Sequence, residues 1–200
     1  MLRIQVAMCL GALVLAVGRE PRSEVQLKTG DVVFQASRSA QSAAIQEATG
    51  SPWSHVGIIE AGSKGVWVVE ASGSVKRTLW RSWRRRGQGG RALVLRPRGL
   101  DGAALARVVA AAREHLGKPY DPQFGWGDDA MYCSELVVKA FERGAGVVVG
   151  KRERLGDLHV GGLRRAIERR WHGKVPADLV LVTPASLAGD PLFERVALLK

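Results

Sequence analysis

The sequence predicts a single α+β domain in which a mostly antiparallel β-sheet packs against helices. Its 200 residues, of which 46% are hydrophobic, fit the size and apolar content of one hydrophobic core. The predicted strands are short apolar runs bounded by turn residues. More of them are joined by hairpin turns than by helices that cross over the sheet, and this pattern is typical of the α+β class.

In the first half of the chain, apolar runs and turn residues predict three strands and one helix. These elements are a strand at 32–34, a helix at 39–49 that Gly50 and Pro52 end, and strands at 54–59 and 65–71 joined by a turn at 61–64. The second half begins with a strand and a helix of about 16 residues, capped by Asp101 and ended by Gly117. The remaining predictions are the strand at 92–95, an aromatic loop at 118–132, helices at 134–143 and near 163–171, and a last strand at 179–182.

The first residues have the pattern of a secretory signal peptide. Arg3 is followed by fifteen uncharged, mostly apolar residues, Ile4 to Gly18. A membrane-spanning helix needs about 20 apolar residues, so this run is too short to span and fits the apolar core of a signal. We therefore expect a signal at 1–19, one domain at 20–200, and export to the periplasm or cell envelope. An uncleaved membrane anchor is the alternative.

The net charge of +11 is distributed unevenly along the chain. Nine Lys or Arg residues and no acid lie between Glu70 and Asp101, and residues 151–174 hold eight bases against three acids. Such segments favour an anionic partner, which outside the cytoplasm means acidic lipid headgroups or cell-wall polymers. A secretory signal argues against nucleic acid as the partner, and we expect a monomer. The arginine run 81–86 is expected to be a solvated loop, with a membrane contact as the alternative.

Cys133 is the residue best suited to act as a nucleophile. Cys9 would be lost with the signal, which leaves Cys133 as a lone thiol that is either buried and inert or reactive. It precedes the apolar stripe of the helix at 134–143 by three to four residues, so it faces the sheet. The start of a helix favours a thiolate and offers free N–H groups to an oxyanion. Ser134 lacks the glycines of a nucleophile elbow.

His55 and Glu70 are a candidate base and its orienting acid. In a hairpin centred between Gly62 and Ser63, paired residues have numbers summing to 125, which sets His55 opposite Glu70 on one face of the sheet. A carboxylate at that position can fix the tautomer of the imidazole and leave the other ring nitrogen as general base. A purely structural His–Glu pair is the alternative.

Several stretches of the sequence resemble the YiiX/YebB-like family. They are GDVVFQ (30–35), SPWSHVGII (51–59), VVEAS (68–72) and GKPYDPQFGWGDDAMYCSEL (117–136), with weaker support from LVTPASL (181–187). This family comprises permuted papain-fold amidases related to the NlpC-type cell-wall peptidases. The order of the residues fits the permutation, because His and its acid precede Cys, whereas papain-like enzymes have Cys first.

The resemblance implies a circularly permuted papain-like fold, with the Cys helix facing the sheet, and a role for each matching residue. Cys133 would be the nucleophile, His55 the general base and Glu70 its orienter. Tyr120 of KPYD would donate to the oxyanion, with Tyr132 as the alternative. The reaction would be hydrolysis of a cell-envelope peptide or acyl-amide bond through a thioester.

Two other readings of the sequence remain open. One is a lipid ester or amide hydrolase, or an acyltransferase, with the same triad, and the other is a non-catalytic module that binds anionic lipid or cell-wall polymer. No cofactor and no metal are expected, because no His–Cys spacing supports zinc. The acids Asp121, Asp128 and Asp129 are expected to bound turns and cap the Cys133 helix. The remaining histidines, His115, His159 and His172, are expected to be incidental surface residues.

Overall fold

The computed structural model describes residues 25–200, so the expected signal at 1–19 and Cys9 lie outside the described residues. The helices are α1 (Ala40–Thr49), α2 (Trp80–Arg86), α3 (Gly102–Arg113), α4 (Cys133–Ala145), α5 (Arg164–Arg170) and α6 (Pro184–Ala188). The strands are β1 (Val32–Gln35), β2 (His55–Gly62), β3 (Gly65–Ser72), β4 (Ser74–Leu79), β5 (Ala92–Pro97), β6 (Arg152–Arg154), β7 (Val180–Val182) and β8 (Phe193–Leu199). In this part of the chain, no helix is both long and apolar enough to cross a bilayer.

Six strands form one antiparallel sheet in the order β4-β3-β2-β1-β5-β8, and β6 pairs with β7 in a separate ribbon. Alternation along the strands divides the sheet residues between its two faces. Val32, Val56 and Val69 belong to a core shared with α3 and α4. Val33 and Val68 pack on the other face with Trp83 of α2. The mostly antiparallel α+β architecture predicted from the sequence is confirmed.

Helix α4 packs against both the sheet and α3, and this fixes its first residue, Cys133, against the core. Leu136, Val137 and Phe141 are fully buried, as their helical spacing predicts. The expectation that acids of the preceding loop cap this helix is wrong. Tyr132 is the N-cap residue, and the Glu135 side chain accepts its backbone N–H at 3.3 Å.

Some elements differ from their predictions. The strand at 179–182 is not the last one, because β8 follows it and forms an edge of the main sheet, paired with β5. The helix after Asp101 has 12 residues and ends at Arg113, before the predicted Gly117. The arginine run 81–86 is not a solvated loop, since β4 and α2 occupy residues 74–86 and Trp83 is fully buried. An apolar ring within a basic run is enough to anchor that helix on the sheet.

Two smaller expectations are also corrected by side-chain contacts. Asp128 binds Lys139 and Arg143 of α4 at 2.9 and 2.8 Å instead of capping the helix, and this pairing lowers its pKa. His115 is buried between Lys118 and Arg143 and is not a surface residue. Asp121 does bound a turn, because its side chain accepts the backbone N–H of Gly125.

Candidate active site

His55 and Glu70 are joined by a short hydrogen bond across the β2–β3 hairpin. His55 Nε2 lies 2.6 Å from Glu70 Oε2, and both side chains are buried. The sequence predicted that they lie directly opposite each other, and this prediction is wrong. Gly62 pairs with Gly65, so the numbers of paired residues sum to 127 instead of 125. The register is therefore shifted by two residues, which keeps both side chains on the predicted face and makes the pair diagonal.

Gly57 lies beside this diagonal contact, where the β2–β3 hairpin leaves no room for a side chain. A Cβ added at Gly57 would lie 2.5 Å from Val68 Cγ1, 2.9 Å from Val69 O and 3.4 Å from Glu70 Cβ. Glycine at this position is therefore a packing requirement of the hairpin that carries the pair.

Three further side chains donate to the Glu70 carboxylate. Thr78 Oγ1 of β4 donates to Oε1 at 2.6 Å, and Trp83 Nε1 of α2 donates to Oε2 at 3.0 Å. Arg86, at the end of α2, also donates to Oε2. Helix α2 therefore fixes the orientation of the acid that holds His55. Sequence reasoning missed this role, although the three-residue spacing of Trp80, Trp83 and Arg86 is a signal for one face of a helix.

The pairing changes the charge states of both groups. Burial disfavours the imidazolium, but hydrogen bonds and charge attraction from Cys133 and Glu70 outweigh it and raise the pKa of His55 to about 9. Burial likewise opposes ionisation of Glu70, whereas His55 and Arg86 lower its pKa to about 2. A positive imidazolium beside a carboxylate is therefore the favoured state at neutral pH.

Cys133 is buried against the end of β2 with 3% of its surface exposed. Burial alone would raise its pKa, but hydrogen bonding and charge attraction from His55 prevail and lower the pKa of the thiol. Since Glu70 engages Nε2 of His55, Nδ1 is the ring nitrogen left for the sulfur. The arrangement favours a thiolate–imidazolium pair, which is the reactive form of a nucleophilic cysteine.

Tyr120 lies at the edge of this group of residues. Its Oη accepts a hydrogen bond from Gln41 Nε2 of α1 at 2.9 Å, so its own proton is available for another acceptor. Burial raises the pKa of Tyr120, and the nearby negative charge of Cys133 adds to the effect. Tyr132 differs in position, because its Oη accepts the backbone N–H of Val182 in the small ribbon and its side chain lines a pocket that does not include His55.

Two pockets of opposite character meet at the Cys133–His55 pair. The apolar pocket has a volume of about 230 Å³, and Cys133 lines it together with α1, α5 and residues 155–163. The polar pocket has a volume of about 160 Å³, and His55, Tyr120 and Arg86 line it together with several serines. An extended molecule with its reactive carbon at Cys133 can therefore place an apolar part on one side and a polar part on the other.

Gln35 is a buried polar residue that sequence reasoning missed. It pairs with His55 in the β1–β2 register, yet neither atom of its side-chain amide has a hydrogen-bond partner among the described residues. A Cβ at Gly87 would collide with this amide. Of the four predicted site residues, the structure brings Cys133, His55 and Glu70 together, with Tyr120 beside them. Their catalytic roles remain predictions.

Comparison with known proteins relates the described domain to one family. Residues 26–197 match the family model described as "Permuted papain-like amidase enzyme, YaeF/YiiX, C92 family". The chain is 37% identical over 175 residues to the uncharacterized protein YiiX of Escherichia coli K12. The aligned residues cover 86% of this chain and 87% of that protein. It is also similar to the crystal structure of metalloprotein yiiX from Escherichia coli O157:H7, with a TM-score of 0.82 and 36% identity, over 86% of this chain and 97% of that one.

Proposed function

The chain belongs to the permuted papain-like amidase family of YaeF and YiiX, and from this premise we propose that it is an exported cysteine hydrolase of acyl-amide bonds. Membership confirms the family and the permuted papain-like fold that the sequence motifs indicated, and it supports a cysteine hydrolase of the amidase kind. The observation that carries the residue assignment is the 2.6 Å bond between His55 and Glu70, in a group where the Cys133 thiol has a lowered pKa.

The proposed reaction begins with attack of the Cys133 thiolate on the acyl carbon. The resulting oxyanion would accept hydrogen bonds from the Tyr120 hydroxyl and from free N–H groups at the start of α4. The imidazolium of His55 then protonates the leaving nitrogen, which departs as an amine and leaves a thioester. Neutral His55 takes a proton from water, the hydroxide attacks the thioester, and a carboxylic acid and the thiolate are released. Glu70 keeps the ring oriented through both steps.

The two pockets favour an acyl-amide with a hydrocarbon acyl part over a purely polar peptide. The apolar pocket is lined mainly by aliphatic and aromatic side chains and borders the nucleophile, so it suits the acyl group. The polar pocket borders His55 and is lined by several serines, so it suits the polar part of the molecule that carries the leaving nitrogen. The same apolar pocket favours, as a second candidate, a lipid ester hydrolase or acyltransferase that uses the same residues.

Export to the periplasm or cell envelope is part of the proposal and rests on the sequence pattern at residues 3–18. This pattern lies outside the described residues. An envelope location would bring the enzyme close to both cell-wall peptides and lipids.

The proposal uses no metal, although the similar structure from Escherichia coli O157:H7 is described as a metalloprotein. Among residues 25–200, no group of three or more His, Cys, Asp and Glu side chains is arranged to hold a metal ion. At the candidate site Nε2 of His55 is occupied by Glu70, whose oxygens also accept from Thr78 and Trp83. These residues do not fit a metal centre.

The test is the alkylation rate of Cys133 by iodoacetamide across pH, located by mass spectrometry, in the wild type and in His55→Ala and Glu70→Ala. We expect rapid alkylation well below pH 8 in the wild type and a higher apparent pKa of the thiol without His55. Release of amine from N-acyl amino acids of increasing chain length then tests the substrate class. A thiol that behaves as an ordinary one in all three proteins would refute the enzyme proposal and favour a non-catalytic binding module.

A further inference from the structure

Helix α5 separates two surfaces of opposite character. Leu163, Ile167 and Trp171 line the apolar pocket beside Cys133. Arg165 and Arg169 are about half a helical turn away, on the opposite side of the helix, and both are exposed. They border a shallow surface depression together with Glu168 and His172, and Glu168 is paired with Arg164. One face of this short helix therefore covers the candidate acyl site, and the other presents cations to the outside.

These cations are not neutralised by neighbouring acids. Arg164 pairs with Glu168 at 2.9 Å, and Arg154 pairs with Asp178 at 3.5 Å. Within the part of the chain that the structure describes, neither Arg165 nor Arg169 has a carboxylate oxygen within 4.0 Å. Residues 151–174 carry eight bases and three acids, so this face is the exposed part of a locally positive segment.

We propose that the outer face of α5, formed by Arg165 and Arg169, binds an anionic lipid bilayer and holds the apolar pocket close to its surface. This inference deepens the proposed function, because it rests on the apolar pocket as the acyl site. The charge of the face complements acidic headgroups, which attract basic residues at the membrane surface. A helix with its side chains is about 10–12 Å across, so binding of the outer face would hold the pocket within that distance of the lipid.

A bilayer fits this face better than a soluble polyanion, because the apolar pocket lies on the other side of the same helix. Trp171 at the end of α5 packs with the lining of that pocket, on the side opposite the outer arginines. Arg170 also lines the pocket and lies over the rings of Phe124 and Trp171, 5.7 and 5.8 Å from their centroids. A soluble polyanion would use the charges and leave the neighbouring acyl site without a role.

The experiment is flotation of the mature chain, residues 20–200, with vesicles of phosphatidylcholine alone or mixed with an equal part of phosphatidylglycerol. Each basic residue near an anionic surface contributes about fivefold in affinity, so Arg165→Gln/Arg169→Gln should bind the mixed vesicles about 25-fold more weakly. The matched control is Arg81→Gln/Arg85→Gln on α2, which removes two exposed arginines at the same spacing from another short helix. It should bind as the wild type does. Replacement of both α5 arginines by lysine should preserve binding, since charge is what the surface supplies.

Equal losses in the α5 and α2 variants, or no loss in either, would overturn the inference. So would binding that is equally strong to vesicles without phosphatidylglycerol. Weaker binding of soluble polyphosphate by the α5 variant, with unchanged vesicle binding, would identify a polymer as the partner and also overturn it. Cys133→Ala should bind vesicles normally. If Cys133 reacts as an ordinary thiol while the chain still binds vesicles, the proposed chemistry is refuted and the membrane-binding surface is retained.

Discussion

Replacing Glu70 by glutamine is the sharpest perturbation of the candidate site, because it keeps the size of the side chain and removes its charge. The carboxylate accepts hydrogen bonds from His55, Thr78, Trp83 and Arg86. A glutamine has one acceptor oxygen and an NH₂ group that faces some of these donors. The variant therefore loses both the ion pair with His55 and part of the network that orients it.

The expected size of the effect follows from the charge state of His55. A pKa of about 9 in place of 6.5 corresponds to about 3 kcal/mol in favour of the imidazolium, shared between Cys133 and Glu70. Without the Glu70 charge, burial and the loss of attraction should lower the pKa of His55 and raise that of Cys133. Positioned acid–base catalysis contributes about 10²–10⁴ in rate, so we expect kcat/KM to fall by about 100-fold or more.

The assay follows alkylation of Cys133 across pH and the NMR titration of the His55 ring in the wild type and Glu70→Gln. Thermal unfolding and near-UV circular dichroism establish that the variant is folded. Glu114→Gln, on an exposed residue, is the matched control and should change nothing. A folded Glu70→Gln protein with unchanged titration of both His55 and Cys133 would refute the role assigned to the carboxylate.

Four further predictions concern pH, packing and the oxyanion. Folding lowers the pKa of Glu70 from 4.5 to about 2, so its contribution to stability is present above pH 4.5 and is lost as pH falls towards 2. Unfolding measured at decreasing pH should show this loss in the wild type and not in Glu70→Gln. The raised pKa of His55 contributes stability fully below pH 6.5 that is lost as pH rises through about 9, whereas the lowered pKa of Cys133 contributes stability that is gained as pH rises, so wild-type stability should change little over that range in urea unfolding. Gly57→Ala should destabilise the fold by about 1–3 kcal/mol in urea unfolding, because its Cβ meets Val68 at 2.5 Å. Tyr120→Phe should lower kcat by about 10²–10³ with little change in KM in a steady-state assay.

Each of these predictions has a result that would contradict it. If the free energy of unfolding fell in parallel in the wild type and Glu70→Gln as pH decreased, Glu70 would not be the group that titrates. A steep loss of wild-type stability between pH 6.5 and 9 would argue against the thiolate–imidazolium pair. Wild-type stability of Gly57→Ala would mean that the hairpin has room for a side chain. For Tyr120→Phe, an unchanged kcat would transfer the oxyanion role to the backbone N–H groups of α4.

The sequence by itself determined the family, the antiparallel α+β class and the identity of the three residues that meet at the candidate site. Alternation along β2 and β3 determined which face His55 and Glu70 share, because a side chain changes face only when the register moves by an odd number of residues. The register itself could not be read from the chain. It depends on where the turn closes, and Gly62 pairing with Gly65 moved it by two residues.

Only the tertiary structure decided what surrounds these residues. The run that includes Trp83 and Arg86 is basic in sequence, yet its helix packs on the sheet and donates to Glu70, because burial of one indole outweighs the preference of its neighbours for water. The apolar pocket beside Cys133 is formed by α1, α4 and α5, and the end of α1 at Thr49 precedes the start of α5 at Arg164 by 115 residues. Local patterns specify which face of an element is apolar, whereas packing between distant elements decides what that face meets.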